Sequence, residues 1–355
     1  MKGLAQIGSY GGVPIRVHWT TVFLPLGVLA YALLRDTSLV GILWLELFVV
    51  AVLACVLLHE IGHAAAARWY KVPVHDILLL PIGGAARLER LPRRASQEAS
   101  VALAGPLVNL LIAGLLAPAL WYWPRYEWFP WLNNYDIGSM LVCLAIFNAL
   151  VFAFNLIPAF PLDGGRVLRA TLTRWMPRLR ATRATAFVAR VIAMLAMGYA
   201  VYEGSFFIGF FGVYAFMTAG REIRNAKVQT FLDEQTIGTI AQPLRVFDPT
   251  TPIADVRHQL IRNQQRGAVV ADECSPIGFV TLGMLPEDAP PDRHVGDLEM
   301  LAVVCHDSQE TLRMLSHQFA AHPRSVAIEE IDRRPAGYVD LELLDERFQA
   351  FAKTC

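Results

Sequence analysis

Leu57-Leu58-His59-Glu60-Ile61-Gly62-His63-Ala64-Ala65-Ala66-Ala67 closes the second long apolar stretch of this chain. Its leucines and alanines predict helix. Residues four apart share a helical face, so the imidazoles of His59 and His63 can reach one metal ion. Glu60 projects beside them, where it can take a proton from a metal-bound water. Charged side chains at membrane depth cost at least ~2.5–3.5 kcal/mol each, so three ionisable groups in one apolar helix need a reason. Gly62 and Ala64 to Ala67 are small residues of the kind that let helices pack closely around a site.

Two imidazoles do not complete a catalytic zinc site, which takes three protein ligands and one water. A further polar residue at similar depth is therefore expected, and the fourth apolar stretch supplies one in Asn155-Leu156-Ile157-Pro158-Ala159-Phe160-Pro161-Leu162-Asp163-Gly164-Gly165-Arg166. Asp163 and the two histidines lie towards the same ends of their stretches. Pro158 and Pro161 prevent regular helix there, and irregular backbone at membrane depth is tolerated only when protein or a water-filled cavity covers it. The competing reading of Asp163 is a cap on the next helix. Asn155 can hydrogen-bond a substrate carbonyl or help hold an oxyanion; its competing role is a polar bridge between helices. Asn109 and Asn148 read as interhelical bridges, and Glu46 and His18 as residues near span ends that reach the interface.

Around these motifs the composition is that of a membrane protein with a soluble tail. The 355 residues are 55% hydrophobic and 17% charged, against roughly 25% charged in soluble domains. The apolar stretches occupy 17–222, so two domains are expected, 1–228 in the membrane and 229–355 outside it. A spanning helix needs ~20 apolar residues, and six segments qualify: 17–34, 42–67, 97–122, 138–157, 186–203 and 206–222. The last two are short and divided by Glu203-Gly204-Ser205, which predicts a tight helical hairpin. Arg166, Arg169, Arg174, Arg178, Arg180, Arg183 and Arg190 follow the fourth span, and Arg221, Arg224 and Lys227 follow the sixth. Lys2 and Arg16 precede the first. The 123–137 loop instead carries Arg125 against Glu127 and Asp136, with Trp121, Trp123, Trp128 and Trp131 as an interfacial belt. Both termini in the cytosol satisfies this distribution. Arg16, the following apolar run and Ala30-Tyr31-Ala32 imitate a signal peptide, but the long polar N-terminus and the later spans favour a retained first helix.

Zero net charge gives no reason to expect nucleic-acid binding. Cys55, Cys143, Cys274, Cys305 and Cys355 have neither Cys-x-x-Cys spacing nor a framework pattern and read as reduced thiols.

The paired motifs resemble the site-2 proteases, intramembrane zinc metalloproteases of peptidase family M50. Gly105-Pro106-x-x-Asn109 and the Gly-Val-Pro-Ile-Arg-Val-His-Trp run at 12–19 add to the likeness, which covers roughly 8–222. It implies one zinc bound by His59, His63 and Asp163, Glu60 as general base, and Asn155 in substrate or transition-state binding. Expected partners are a transmembrane protein or peptide substrate and the lipid bilayer, in the cell membrane of a bacterium or archaeon. Leu79-Leu80-Pro81-Ile82-Gly83-Gly84-Ala85 is similar to the family's membrane-associated β-hairpin, whose edge would pair with an unwound substrate strand; otherwise it is a polar connecting loop. The fold class so implied is an α-helical polytopic membrane protein followed by a small α/β domain. An inactive helix-binding member would have signalled itself by an altered Glu60. A metal transporter would need a chain of polar residues across the bilayer, which is not seen.

Residues 231–355 carry two weak copies of one pattern. Pro252–Val256 starts a helix, followed by strands at Gly267–Asp272 and Ile277–Thr281; Ser308–Leu312, Ser325–Ile328 and Ala336–Asp340 repeat the order. Helix, strand, strand and helix in duplicate resembles a tandem CBS pair, a module that often binds adenine nucleotides. The acidic residue expected for ribose is Met284 in one copy and Leu343 in the other, and Asp340 stands where a hydroxyl is usual. These departures count against a nucleotide and leave dimerisation or substrate docking as the tail's competing role.

Overall fold

The computed structural model describes the chain apart from residues 1–2, 82, 89–91, 93, 123–135, 273–274, 291, 332–333 and 355. The expectations placed on Lys2, Ile82, Trp123, Arg125, Glu127, Trp128, Trp131, Cys274 and Cys355 lie outside the described residues. Two compact units divide the chain, Met1–Ile223 and Arg224–Cys355.

The first unit opens with strands β1 (Leu4–Tyr10) and β2 (Val13–His18). They are joined through Gly11 and Gly12, whose φ values of +53° and +88° belong to the left-handed region that glycine enters without a Cβ penalty. β2 runs parallel to β3 (Val74–Leu80), which pairs antiparallel with β4 (Gly83–Leu88), in sheet order β1-β2-β3-β4. The hairpin expected at 79–85 thus extends over 74–88, with Leu80 opposite Gly83.

Among the described residues of this unit, seven α-helices follow one another: α1 (Phe23–Leu34), α2 (Leu39–Trp69), α3 (Ala95–Leu116), α4 (Ile137–Asn155), α5 (Asp163–Leu172), α6 (Arg178–Glu203) and α7 (Phe206–Glu234), the last running past the boundary. Ser38 and Asp136 cap α2 and α4 by accepting the amides of Gly41 and Ser139, and Gly204 closes α6 at φ +67°.

Four of these are long and apolar enough to cross a bilayer: Leu39–Trp69, Ala95–Trp121, Ile137–Asn155 and Arg178–Glu203. Their outward side chains are apolar, with Leu111 62%, Leu115 71%, Leu150 64% and Val201 84% exposed. Water would not tolerate so large an apolar surface, and lipid does. Of the six expected spans, the first and the last two take other bounds in the structure. Residues 13–18 extend as β2 because Val13, Ile15 and Val17 share one face, with Pro14, Arg16 and His18 on the other, and the strand pairs with β1 and β3; Trp19–Val22 forms a 3-10 turn. That leaves α1 only 12 residues, about 18 Å. α6 begins at Arg178 and α7 ends at Glu234, so neither is the short hairpin helix expected. α7's apolar run stops at Arg221.

The interior of this unit is built on small residues. A Cβ at Gly62 would lie 2.8 Å from the Ala104 carbonyl, so α2 and α3 touch backbone to backbone there. Ala64 packs with Val13, Ile15 and Ile77 of the sheet, which seats the β3–β4 hairpin on the histidine-bearing turn of α2.

The second unit is an internal duplication. After a one-turn α8 (Ile237–Ile240), β6 (Val246–Phe247) leads through α9 (Ile253–Arg262) to a parallel β7 (Gly267–Asp272), which returns antiparallel as β8 (Ser275–Thr281). β9 (Val303–Asp307), α10 (Leu312–Ala321), β10 (Val326–Ile331) and β11 (Arg334–Val339) repeat that order, with β5 (Gln242–Pro243) added at the edge. The sheets share a core of Val269, Phe279, Val326, Ile328 and Tyr338. The second copy ends in α11 (Leu341–Thr354). The closing helix expected in the first copy is instead a 3-10 turn at Leu282–Met284.

Candidate metal centre

On α2, His59 and His63 fall one turn apart on a buried face, at 7% and 5% exposure. Their rings meet edge to face with centroids 4.7 Å apart, and their Nε2 atoms lie 3.1 Å apart. Asp163 is the first residue of α5 and is equally buried. Its Oδ2 stands 3.3 Å from His59 Nε2 and 3.2 Å from His63 Nε2. The three side chains form a group that can hold a metal ion.

The donor set fits zinc. Ligand bonds of about 2.0–2.1 Å at tetrahedral angles separate neighbouring donor atoms by ~3.3 Å, close to the observed edges. The tautomers fit as well. His63 Nδ1 lies 2.7 Å from the Val101 carbonyl, and His59 Nδ1 lies against Asn109 Oδ1. Both partners are acceptors, so each Nδ1 carries its proton and each Nε2 offers a lone pair towards the centre.

Those orienting groups come from α3. Val101, Gly105 and Asn109 recur every four residues and so form one stripe facing α2. Gly105 stands between the rings: a Cβ there would be 2.3 Å from His63 Nε2 and 2.7 Å from His59 Nε2. Asn109 Nδ2 donates to Asn148 Oδ1 at 2.7 Å, and Asn148 Nδ2 donates to the Leu144 carbonyl at 2.8 Å and to Cys55 Sγ at 3.4 Å. The two asparagines do bridge helices, as their sequence suggests, but the bridge ends on a histidine. Their depth, matching that of His59, is the signal that could have revealed it.

Asp163 is delivered by the interrupted backbone after α4. Short turn bonds run through it, from Ala159 N to Ile157 O at 2.7 Å and from Leu162 N to Ala159 O at 2.9 Å, and Phe160–Pro161 is cis. Gly164 and Gly165 press on this stretch so closely that a Cβ would meet Ile157 O at 2.3 Å and Ala159 C at 2.7 Å. The glycines therefore set how near α5, and Asp163 with it, approaches the end of α4.

Glu60 is buried at 6% exposure beside the histidines. Its Oε2 accepts the Ala86 backbone N–H of β4 at 2.7 Å, and a Cβ at Gly84 would meet Glu60 Cγ at 2.5 Å. The hairpin thus lies directly on this carboxylate. A buried Asp76 holds the hairpin's base, taking Arg87 Nε of β4 at 2.6 Å and Arg16 of β2 at 3.0 Å. The Arg87 guanidinium keeps the Asp76 carboxyl below its ordinary range. Nothing in the sequence pattern singles out that ion cluster.

Asn155 is not drawn into the group. Its Nδ2 donates to the Val151 carbonyl of its own helix at 3.1 Å. His18 caps the 3-10 turn at Trp19, accepting the Thr20 amide. In the second unit Asp340 Oδ1 caps α11 through the Leu343 amide at 2.7 Å. Leu343 is buried, and Arg266 beside them pairs with Glu346 at 3.1 Å.

Residues 47–130 and 130–199 match the model of peptidase family M50. A zinc metalloprotease of Methanocaldococcus jannaschii is 26% identical over 307 residues, 86% of either chain. Among solved structures, the site-2 protease of the same archaeon is 27% identical, with 62% of this chain and 95% of that one covered and a TM-score of 0.48. The CBS domain of a Sphaerobacter thermophilus membrane protein is 15% identical, covering 36% of this chain and 96% of that one, with a TM-score of 0.31.

Proposed function

This chain is a zinc metalloprotease of the site-2 type, and from that premise we propose that it hydrolyses peptide bonds within or beside transmembrane segments of membrane-bound substrates, as in regulated intramembrane proteolysis. The observation that carries the reading is the convergence of His59, His63 and Asp163 on edges of 3.1–3.3 Å within an apolar helical bundle.

His59 and His63 would hold a zinc ion through Nε2 and Asp163 through a carboxylate oxygen. Bound there, zinc would supply a Lewis acid for the scissile carbonyl and for acidifying a water. Glu60 takes the proton of the attacking water and passes it to the leaving amine. The Ala86 amide steadies the carboxylate that does this. Asn155 has a second amide hydrogen beyond the one spent on Val151, which it offers to a substrate carbonyl. The substrate reaches these groups as an extended strand, since an intact helix encloses its carbonyls in its own hydrogen bonds. β4 is an edge strand of the membrane unit's sheet and offers its backbone for pairing. With the apolar helices of the membrane unit crossing the bilayer, the termini and the duplicated domain lie in the cytosol, where that domain regulates the membrane unit.

Purified protein in detergent with a panel of single-span substrates tests this. Cleavage by the wild type should disappear on Glu60→Gln, which should still bind zinc, and on adding a zinc chelator. Cleavage that survives Glu60→Gln would refute the assignment.

A further inference from the structure

Two of the three ligand positions are fixed by contacts already described, because α3 bonds both imidazoles and packs backbone to backbone on α2. The third ligand rides on α5, and a buried ion network determines where α5 lies. Arg169, six residues after Asp163, is 2% exposed. Its Nε donates to Glu98 Oε1 of α3 at 2.7 Å, and a terminal nitrogen donates to Glu222 Oε2 of α7 at 3.2 Å. The guanidinium stands over the Phe160 ring at 5.2 Å, against the backbone that delivers Asp163. The second oxygen of Glu98 takes Arg178 of α6 at 2.5 Å.

Burying such charges is costly unless each is paired, and burial of the helices alone would not require them. What they achieve is geometric. Glu98 lies one turn before Val101, so the helix that orients the histidines is the one that grips α5. Only a planar fork can address two carboxylates in fixed directions; an ammonium cannot.

We infer that Arg169, clamped between Glu98 and Glu222 and stacked on Phe160, is a positioning residue that sets Asp163 in register with His59 and His63. This rests on the reading of those three residues as the zinc ligands.

Zinc affinity of the full-length protein, measured by competition with a chromophoric chelator, separates the possibilities. Arg169→Gln should loosen zinc by about 10–100-fold, as loss of a ligand-orienting partner does. It should lower kcat while leaving KM within about twofold, and Arg169→Lys should recover only part of the loss. The Glu98→Gln, Arg169→Gln double variant should bind zinc no more than about threefold worse than Arg169→Gln, because residues in one network act as a unit. Should Arg169→Gln fail to fold, the isosteric Glu98→Gln breaks the same clamp and should loosen zinc in the same way. Wild-type zinc affinity in either folded variant overturns the positioning role. Unchanged zinc binding in His59→Ala overturns the ligand assignment beneath it.

Discussion

Replacing Gly105 by alanine is the sharpest test of how the centre is packed. The added Cβ would lie 2.3 Å from His63 Nε2, 2.6 Å from His63 Cε1 and 2.7 Å from His59 Nε2. Non-bonded contact begins near ~3.5 Å, so rings or helix must part by about 1 Å. Zinc–ligand distances tolerate about 0.2 Å, so the imidazoles cannot keep both the ion and their bonds to Val101 and Asn109. Zinc should bind about 10–100-fold more weakly, a loss of roughly 1.4–2.7 kcal/mol, and a misplacement of about 1 Å in a reacting group costs on the order of 100-fold in rate. The control is Gly114→Ala on the same helix, where nothing lies within 4 Å. There the better helix former should be neutral or stabilise by up to ~1 kcal/mol. Chelator competition and a cleavage assay on both variants decide the matter. Gly105→Ala with the zinc affinity and cleavage rate of Gly114→Ala would refute the reasoning.

Four further outcomes are expected. Asn109→Leu removes the acceptor of His59 Nδ1 and strands Asn148, so zinc affinity should fall about 10–100-fold in chelator competition. Gly84→Ala drives a methyl into Glu60, 2.5 Å from Cγ; kcat should drop at least about tenfold, as for a disturbed general base, with zinc affinity unchanged. The Asp76 carboxyl is held below its ordinary value of 3.8, so the stability it contributes is present above that value and lost as pH falls through the lower folded one. The thermal stability advantage of wild type over Asp76→Asn should therefore hold at neutral pH, shrink as pH falls past 3.8 and vanish below the lower folded value. Cys305 is exposed, but desolvation of its thiol and the neighbouring Glu330 carboxylate push its pKa up to about 12. It should alkylate at pH 8 at least about tenfold more slowly than an ordinary thiol, and Glu330→Gln should speed the reaction.

Helical periodicity explains why half of this centre was legible in the sequence. His59 and His63 are neighbours by i, i+4 spacing alone, so no tertiary information is needed to bring them together. Asp163 was legible through depth, as a polar residue after two prolines in a span whose end matches theirs. In the tail, the duplicated strands announced themselves through apolar runs bounded by glycine and proline, and the structure places β7, β8, β10 and β11 over those runs. The missing helix of the first copy was not legible, because Leu282-Gly283-Met284-Leu285-Pro286 is apolar enough for helix and only the proline argues against it. Nor was the shortening of α1, since Val13–His18 can read as a span's approach or as a strand until partners β1 and β3 are known.

By itself the sequence determined which residue types could do the chemistry, since ligand spacing within one helix and the apolar surroundings are local properties. Only the tertiary structure decided what orients them. The stripe Val101, Gly105 and Asn109, the contact of β4 with Glu60 and the Glu98–Arg169–Glu222 clamp each join elements far apart in the chain. Hydrogen bonds and ion pairs of that kind depend on distances of about 3 Å between backbones whose separation no local pattern encodes.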